Sequence, residues 1–220
     1  MTPIARAPVP AFVESIMKVV GSHQGVDIQW VNAVGHANTP RVRNVLCHQA
    51  LALDADDLIW IDDDISFEPD ALFQLLCHNV DIVAAAPQRR DLDAVTFCAH
   101  IDQPIKSVNT SDVFDNIYPL LAGHAATAFM RVKRAVYEGL AEKVDHFTHE
   151  TCPGEEIRAF YDYKIGAGPS GTKDYIGEDY YFSQLAKENG YEVWIDPYIE
   201  LSHWNMMPMR ERMSNHIFKE

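Results

Sequence analysis

Leu58-Ile59-Trp60-Ile61-Asp62-Asp63-Asp64-Ile65-Ser66-Phe67 is the stretch on which the fold turns: an apolar run meets three consecutive carboxylates and then becomes apolar again. A short apolar run of this kind reads as a buried strand. Its acidic end must reach solvent or a cation, because unpaired buried carboxylates are prohibitively costly. In open α/β sheets the ligand crevice lies beyond the carboxyl ends of the strands, which is where this cluster falls. Hard divalent cations such as Mg²⁺ or Mn²⁺ prefer carboxylate oxygens and commonly bridge substrate phosphates. The competing reading is a solvated acidic turn that caps the helix opening near Pro69.

Working outward, the segments on either side alternate between helix and strand. Phe12, Ile16, Val19 and Val20 share one face of a helix over 11–20, which Gly21 ends. Val26-Asp27-Ile28-Gln29-Trp30-Val31 alternates as a strand, while 2–5 offers only the stub of one. Thr39 as N-cap and Pro40 at the first helical position open a second helix. Its buried face, Val42, Val45, Leu46, Ala50 and Leu53, leads into Leu58. Pro69 starts a third helix that buries Leu72, Leu75 and Leu76, and 81–86 is a strand that stops at Pro87. The alternation predicts an α/β fold with parallel βαβ units, a Rossmann-like, mostly parallel sheet flanked by helices.

Beyond Pro87 the pattern loosens. Short strands are expected at 95–100 and 105–108, a buried strand at 126–132 and a helix over 133–143. The least regular stretch is 145–174, which holds a flexible loop from Gly166 to Gly171. Order returns with a helix from Gly177 closed by Asn189-Gly190, a strand at 191–195 and an extended segment at 198–203 whose Ile199, Leu201 and His203 share a face. The tail after Trp204 suggests a helix.

Composition narrows the function classes. A hydrophobic fraction of 47% over 220 residues supplies a substantial core. The formal net charge of −14 argues against non-specific affinity for nucleic acid or anionic lipid. Cys47, Cys77, Cys98 and Cys152 form no CxxC pair and are expected to be reduced thiols. No long apolar run and no signal-peptide pattern is present, so a cytoplasmic protein without a membrane span is expected.

Three features stand in the order found in one enzyme family. Ile61-Asp62-Asp63-Asp64-Ile65 resembles the DxD motif of GT-A-fold nucleotide-sugar glycosyltransferases (family 2-like). Gly177-Glu178-Asp179-Tyr180-Tyr181-Phe182 resembles their xED helix start, and Tyr191 through His203 resembles the strand, turn and metal-binding histidine that follow. Arg43-Asn44 and Thr127-Ala128-Phe129-Met130-Arg131-Val132-Lys133-Arg134 are weaker echoes, so the resemblance spans roughly Arg41 to His203. It implies one GT-A-like domain, with a nucleotide-binding half over 1–87 and an acceptor and catalytic half over 88–220. It also implies transfer of a sugar from a nucleoside-diphosphate sugar, a UDP-sugar in the first instance, to an acceptor hydroxyl with inversion. On that reading Asp62, Asp63, Arg43 and Asn44 face the donor. Asp62, Asp64 and His203 hold Mn²⁺ or Mg²⁺, and Asp179, with Glu178 beside it, is the general base. At the helix N-terminus Asp179 is expected to stay ionised. Ala128 departs from the glycine usual under the donor, and the short first strand leaves the nucleobase undefined.

Other readings remain open at this stage. A DxD after a strand is also the nucleophile motif of haloacid-dehalogenase-type phosphotransferases and phosphatases, but there it lies on the first strand, and Ser66 stands where that pattern has Thr or Val. A non-catalytic nucleotide-sugar-binding module is the third reading. His146, His149 and Cys152 are spaced to touch a zinc ion but lack a paired fourth ligand. For the acceptor, Phe160, Tyr161, Tyr163, Tyr180 and Trp204 suit a saccharide. A hydroxylated base in DNA would instead need a basic track, for which Arg41, Arg43, Arg89, Arg90, Arg131, Lys133 and Arg134 are the candidates.

Overall fold

In the computed structural model, described for residues 1–4, 7–22, 25–35, 38–90, 95–101, 119–167, 171–204, 208–211 and 213, the chain is a mixed α/β fold. β1 (Thr2–Ile4), α1 (Pro10–Ser22), β2 (Asn32–Val34), α2 (Thr39–Leu51), β3 (Asp57–Ile61), β4 (Ile65–Ser66), α3 (Pro69–Cys77) and β5 (Ile82–Ala84) come first. There follow β6 (Ala99–Ile101), β7 (Leu120–Ala125), β8 (Phe129–Lys133), α4 (Arg134–Leu140), β9 (His146–His149) and β10 (Cys152–Arg158). The chain continues through β11 (Lys164–Ala167), β12 (Lys173–Ile176), α5 (Glu178–Glu188), β13 (Val193–Ile195), β14 (Leu201–Trp204) and β15 (Pro208–Glu211). Among the described residues no helix is long and apolar enough to cross a membrane.

The central sheet has six strands in the order β3-β8-β5-β13-β7-β6. The expected mostly parallel sheet is corrected here, because only β5 and β13 are parallel neighbours and the other adjacent pairs are antiparallel. β8 is the cause. It inserts between β3 and β5 and runs against both, so the two strands joined through α3 share a direction without touching. Hydrophobic periodicity reports which face of a strand is buried and says nothing of which strand lies beside it. The N-terminal stub does pair: β1 lies parallel to β2, and Met1 N donates to Ile59 O while Ile61 N donates to Met1 O, which ties β1 to β3.

Alternation along the strands splits the core into two layers. Leu58 and Trp60 of β3, with Ile82 and Ala84 of β5, pack towards α2, α4 and α5. Ile61 and Val83 face the opposite layer, with Phe12 and Ile16 of α1 and Leu72 and Leu75 of α3. Both layers draw on residues from before and after Pro87. Under the first layer Trp60 Nε1 donates to Tyr137 Oη (2.9 Å), which lies 2.7 Å from Tyr161 Oη. Burial pushes both phenols well above their ordinary range, so they stay neutral and bond to each other. Phe160 and Tyr161 are thus core residues, not the acceptor platform expected for them.

Several boundaries move. The strand expected at 26–31 forms instead at β2, and Asn38, whose side chain accepts from Arg41 N (3.1 Å), is the N-cap rather than Thr39. The stretch 145–174 holds two antiparallel ribbons, β9–β10 and β11–β12. The tail contributes β15, paired with β14, where a helix was expected. The segment 105–108 and the Gly168-Pro169-Ser170 tip of the expected flexible loop lie outside the described residues.

Candidate active site

The acidic turn follows β3 and is held by backbone bonds from distant parts of the chain. Asp62 N donates to Ala128 O (3.0 Å), Val9 N to Asp63 O (2.9 Å) and Trp204 N to Asp64 O (2.8 Å). β14 pairs with β4 so that His203 stands opposite Ile65, directly after the turn. This register brings His203 Nε2 within 3.7 Å of Asp64 Oδ2, across 139 positions of sequence numbering (203 − 64). His203 Nδ1 donates to Gln88 O (2.8 Å), which leaves the Nε2 lone pair towards the carboxylate. Burial lowers the pKa of His203 and outweighs the opposing Gln88 hydrogen bond, with Arg90 adding to the lowering against Asp62, so the neutral ring is favoured. A neutral imidazole oriented by a backbone carbonyl beside a carboxylate suits a divalent cation. Arg90 Nη2 also contacts Asp64 Oδ2, so a cation there would share or displace that guanidinium. Among the described residues no group of three or more His, Cys, Asp or Glu side chains is gathered as a metal cage. Asp64 and His203 are therefore a two-ligand fit, with water and substrate oxygens left to complete the shell.

Asp62 and Glu178 meet on Arg43. The α2 guanidinium is 4% exposed, with Nη2 3.0 Å from Asp62 Oδ1 and Nε 3.4 Å from Glu178 Oε1. It also stacks 5.2 Å from the centre of the Trp60 ring. Burial pulls the Arg43 pKa down, but Asp62 and Glu178 outweigh it and the net shift is upward, so the cation is firmly held. Its Nη1 is buried without a hydrogen-bond partner. Asn44 acts differently. Its amide donates to Tyr161 O (2.8 Å) and accepts from Tyr161 N (2.9 Å), which pins the core under Arg43 instead of facing a ligand.

Asp179 sits in the first turn of α5, with Gly177 as N-cap. Its Oδ1 accepts from Tyr180 N (2.8 Å). The carboxyl is mostly ionised at neutral pH as expected, but the helix N-terminus does not set its pKa, which moves up rather than down. Burial first, then the Glu178 charge, raise its pKa to about 6, against the smaller lowering by the Tyr180 N–H and Arg43. A Cβ at Gly177 would come 3.1 Å from Asp179 Oδ1, so the absence of a side chain there makes room for the carboxylate.

Gln88 and Cys98 were not read as site residues from sequence, and Arg90 only as part of a basic track. Burial pushes the Cys98 thiol up to about 11, and the charges that act on it are those of Arg89, Asp179, Asp62 and Arg90, which locates it among the same groups. Arg89-Arg90 follow β5 closely, at the same carboxyl-end position that marked the acidic turn, and that position was the available signal. Three of the remaining basic candidates lie elsewhere: Arg131 pairs with Asp57 (3.0 Å) and Lys133 with Asp81 (3.1 Å), where β3 and β5 begin, while Arg134 pairs with Glu138 (2.6 Å). His146 and His149 lie on β9 and Cys152 begins β10, where His146 faces Glu156 (3.3 Å) and His149 faces Thr151 (2.8 Å).

No protein-family model matches the chain, and no curated protein matches it in sequence. Among solved structures, one titled "Crystal Structure of A197 from STIV" is similar, with a TM-score of 0.58 and 14% identity, over 97% of this chain and 88% of that one. At that identity the likeness is one of fold.

Proposed function

We propose that the protein is a metal-dependent glycosyltransferase of GT-A type that moves a sugar from a nucleoside-diphosphate sugar to an acceptor hydroxyl. One observation carries the reading: the DxD-like turn, the Glu178-Asp179 helix start and His203, remote in sequence, meet at one place through Arg43 and through the His203–Asp64 approach. Separate acidic caps would have no reason to share a buried arginine.

In this scheme the acceptor oxygen attacks the anomeric carbon and its proton passes to the Asp179 carboxylate. The bond from that carbon to the phosphate oxygen breaks, and its electron pair leaves on the nucleoside diphosphate. Attack opposite the leaving group inverts the configuration. With a pKa of about 6, Asp179 is ionised at neutral pH yet more basic than an ordinary carboxylate, which suits a general base. Asp64 and His203 would hold Mn²⁺ or Mg²⁺, which supplies charge stabilisation to the departing diphosphate. Arg43 keeps Asp62 and Glu178 in place.

Incubation with a panel of nucleotide sugars and Mn²⁺ tests the reading. Release of a nucleoside diphosphate, with Mn²⁺ binding detected by electron paramagnetic resonance and lost in Asp64→Ala, is the expected result. Turnover that persists in excess chelator would remove the metal from the scheme. Release of phosphate from simple esters would replace transfer with phosphatase chemistry.

A further inference from the structure

Tyr180, the residue after the proposed base, lines a cleft of about 470 Å³ between one face of α5, the β11–β12 ribbon and the β6–β7 pair. Its size falls in the range of small-molecule sites. α5 contributes Tyr180, Gln184, Lys187 and Glu188, spaced so that they share one side of the helix. Tyr180 therefore joins the two sites: its backbone N–H holds the Asp179 carboxylate and its ring opens the cleft.

The cleft's chemistry differs from that of the protein around it. The chain carries a net charge of −14, yet among the described residues lining this cleft Glu188 is the only carboxylate, against Lys164 and Lys187 and the imidazoles of His100 and His124. The rings adjoin in series, His100 stacked on His124 with centroids 5.3 Å apart and His124 tilted by 42° against Tyr180 at 3.6 Å. Lys187 Nζ donates to Gly123 O (3.4 Å), which holds its ammonium at the cleft, and aromatic rings flanked by ammonium groups suit a ligand with an apolar face and an anionic substituent. A long polyanion fits less well, because repulsion from the surrounding acidic surface grows with its length.

We infer that this cleft binds the acceptor and that the acceptor is an acidic saccharide, with its carboxylate or phosphate on Lys164 and Lys187 and a ring face on Tyr180. The inference rests on Asp179 being the base, since that assignment makes a ligand at Tyr180 the acceptor.

Matched probes test it: 4-nitrophenyl β-D-glucuronide, 4-nitrophenyl β-D-glucoside and glucose 6-phosphate, each titrated into the full chain by calorimetry with and without nucleotide sugar. The expected result is binding of the glucuronide or the phosphosugar roughly tenfold tighter than the glucoside, with the preference lost in Lys164→Ala/Lys187→Ala. Both lysines are exposed, and an unchanged thermal melt of the double variant shows that the fold is intact. Equal affinity for the charged and neutral probes, or a preference that survives the double substitution, overturns the inference. So does tighter binding of a single-stranded oligonucleotide that competes with the glucuronide. If nucleotide sugar binds and none of the three probes does, the acceptor assignment fails and the glycosyltransferase reading stands. If the glucuronide binds through the lysines and no nucleotide sugar binds, the cleft stands as an acidic-saccharide site and the transfer reading fails.

Discussion

Replacing Asp179 with Asn should make the protein more stable while it removes transfer. The folded pKa of about 6 stands against an ordinary value of 3.8, so between those values the folded state holds more protons than the unfolded chain. The sign follows directly. Stability is unaffected by this group below about pH 4, falls as the pH rises through 6, and stays lower above it. At 1.36 kcal/mol for each pH unit between the two values, the charged form carries a penalty of about 3 kcal/mol at pH 8. Asn removes the charge and keeps an oxygen for the Tyr180 N–H now bonded at 2.8 Å. Urea denaturation of Asp179→Asn against the parent should show a gain approaching about 3 kcal/mol at pH 8, or a rise of roughly 6–10 °C in melting temperature for a chain of this size. At pH 4 the two proteins should coincide. Transfer should fall by roughly 10²-fold or more. A variant less stable than the parent at pH 8, or a difference that does not vary with pH, would refute the reasoning, because a mere helix cap loses stability on neutralisation.

Two further outcomes follow from the same site. Arg43→Ala strands Asp62 and Glu178 beside a buried Trp60 face and should cost about 3 kcal/mol in urea unfolding, with Arg43→Lys giving little rescue because one ammonium cannot bridge both carboxylates; a loss under about 1 kcal/mol would mean that both acids simply rehydrate. Gly177→Ala is unstrained at φ −68 and ψ 163, but its Cβ presses on Asp179 Oδ1 from 3.1 Å, so turnover should drop about tenfold with an unchanged melt; unaltered turnover would show that the carboxylate is not held to that position.

What could be read from the chain alone was local. The apolar run ending at Asp62, the proline-led helices at Pro40 and Pro69 and the strand beginning at Ile82 appear close to where they were expected, because burial periodicity and proline geometry act within a few residues. The acidic residues at both motifs were likewise legible, since charge at the end of an apolar run must be solvated or paired. Only the tertiary structure decided the rest. Whether β8 joined the sheet antiparallel between β3 and β5 depended on non-local pairing that leaves no periodic mark. Asn44 and Tyr161 read as site residues until packing set one to bond the other's backbone in the core. The pKa of Asp179 turned on desolvation by neighbours far away in sequence, which outweighs the helix end that could be seen locally. Bringing Asp64 to His203 and Asp62 to Glu178 was also the work of the fold, because chain entropy opposes contacts across such separations until the cooperative core holds them.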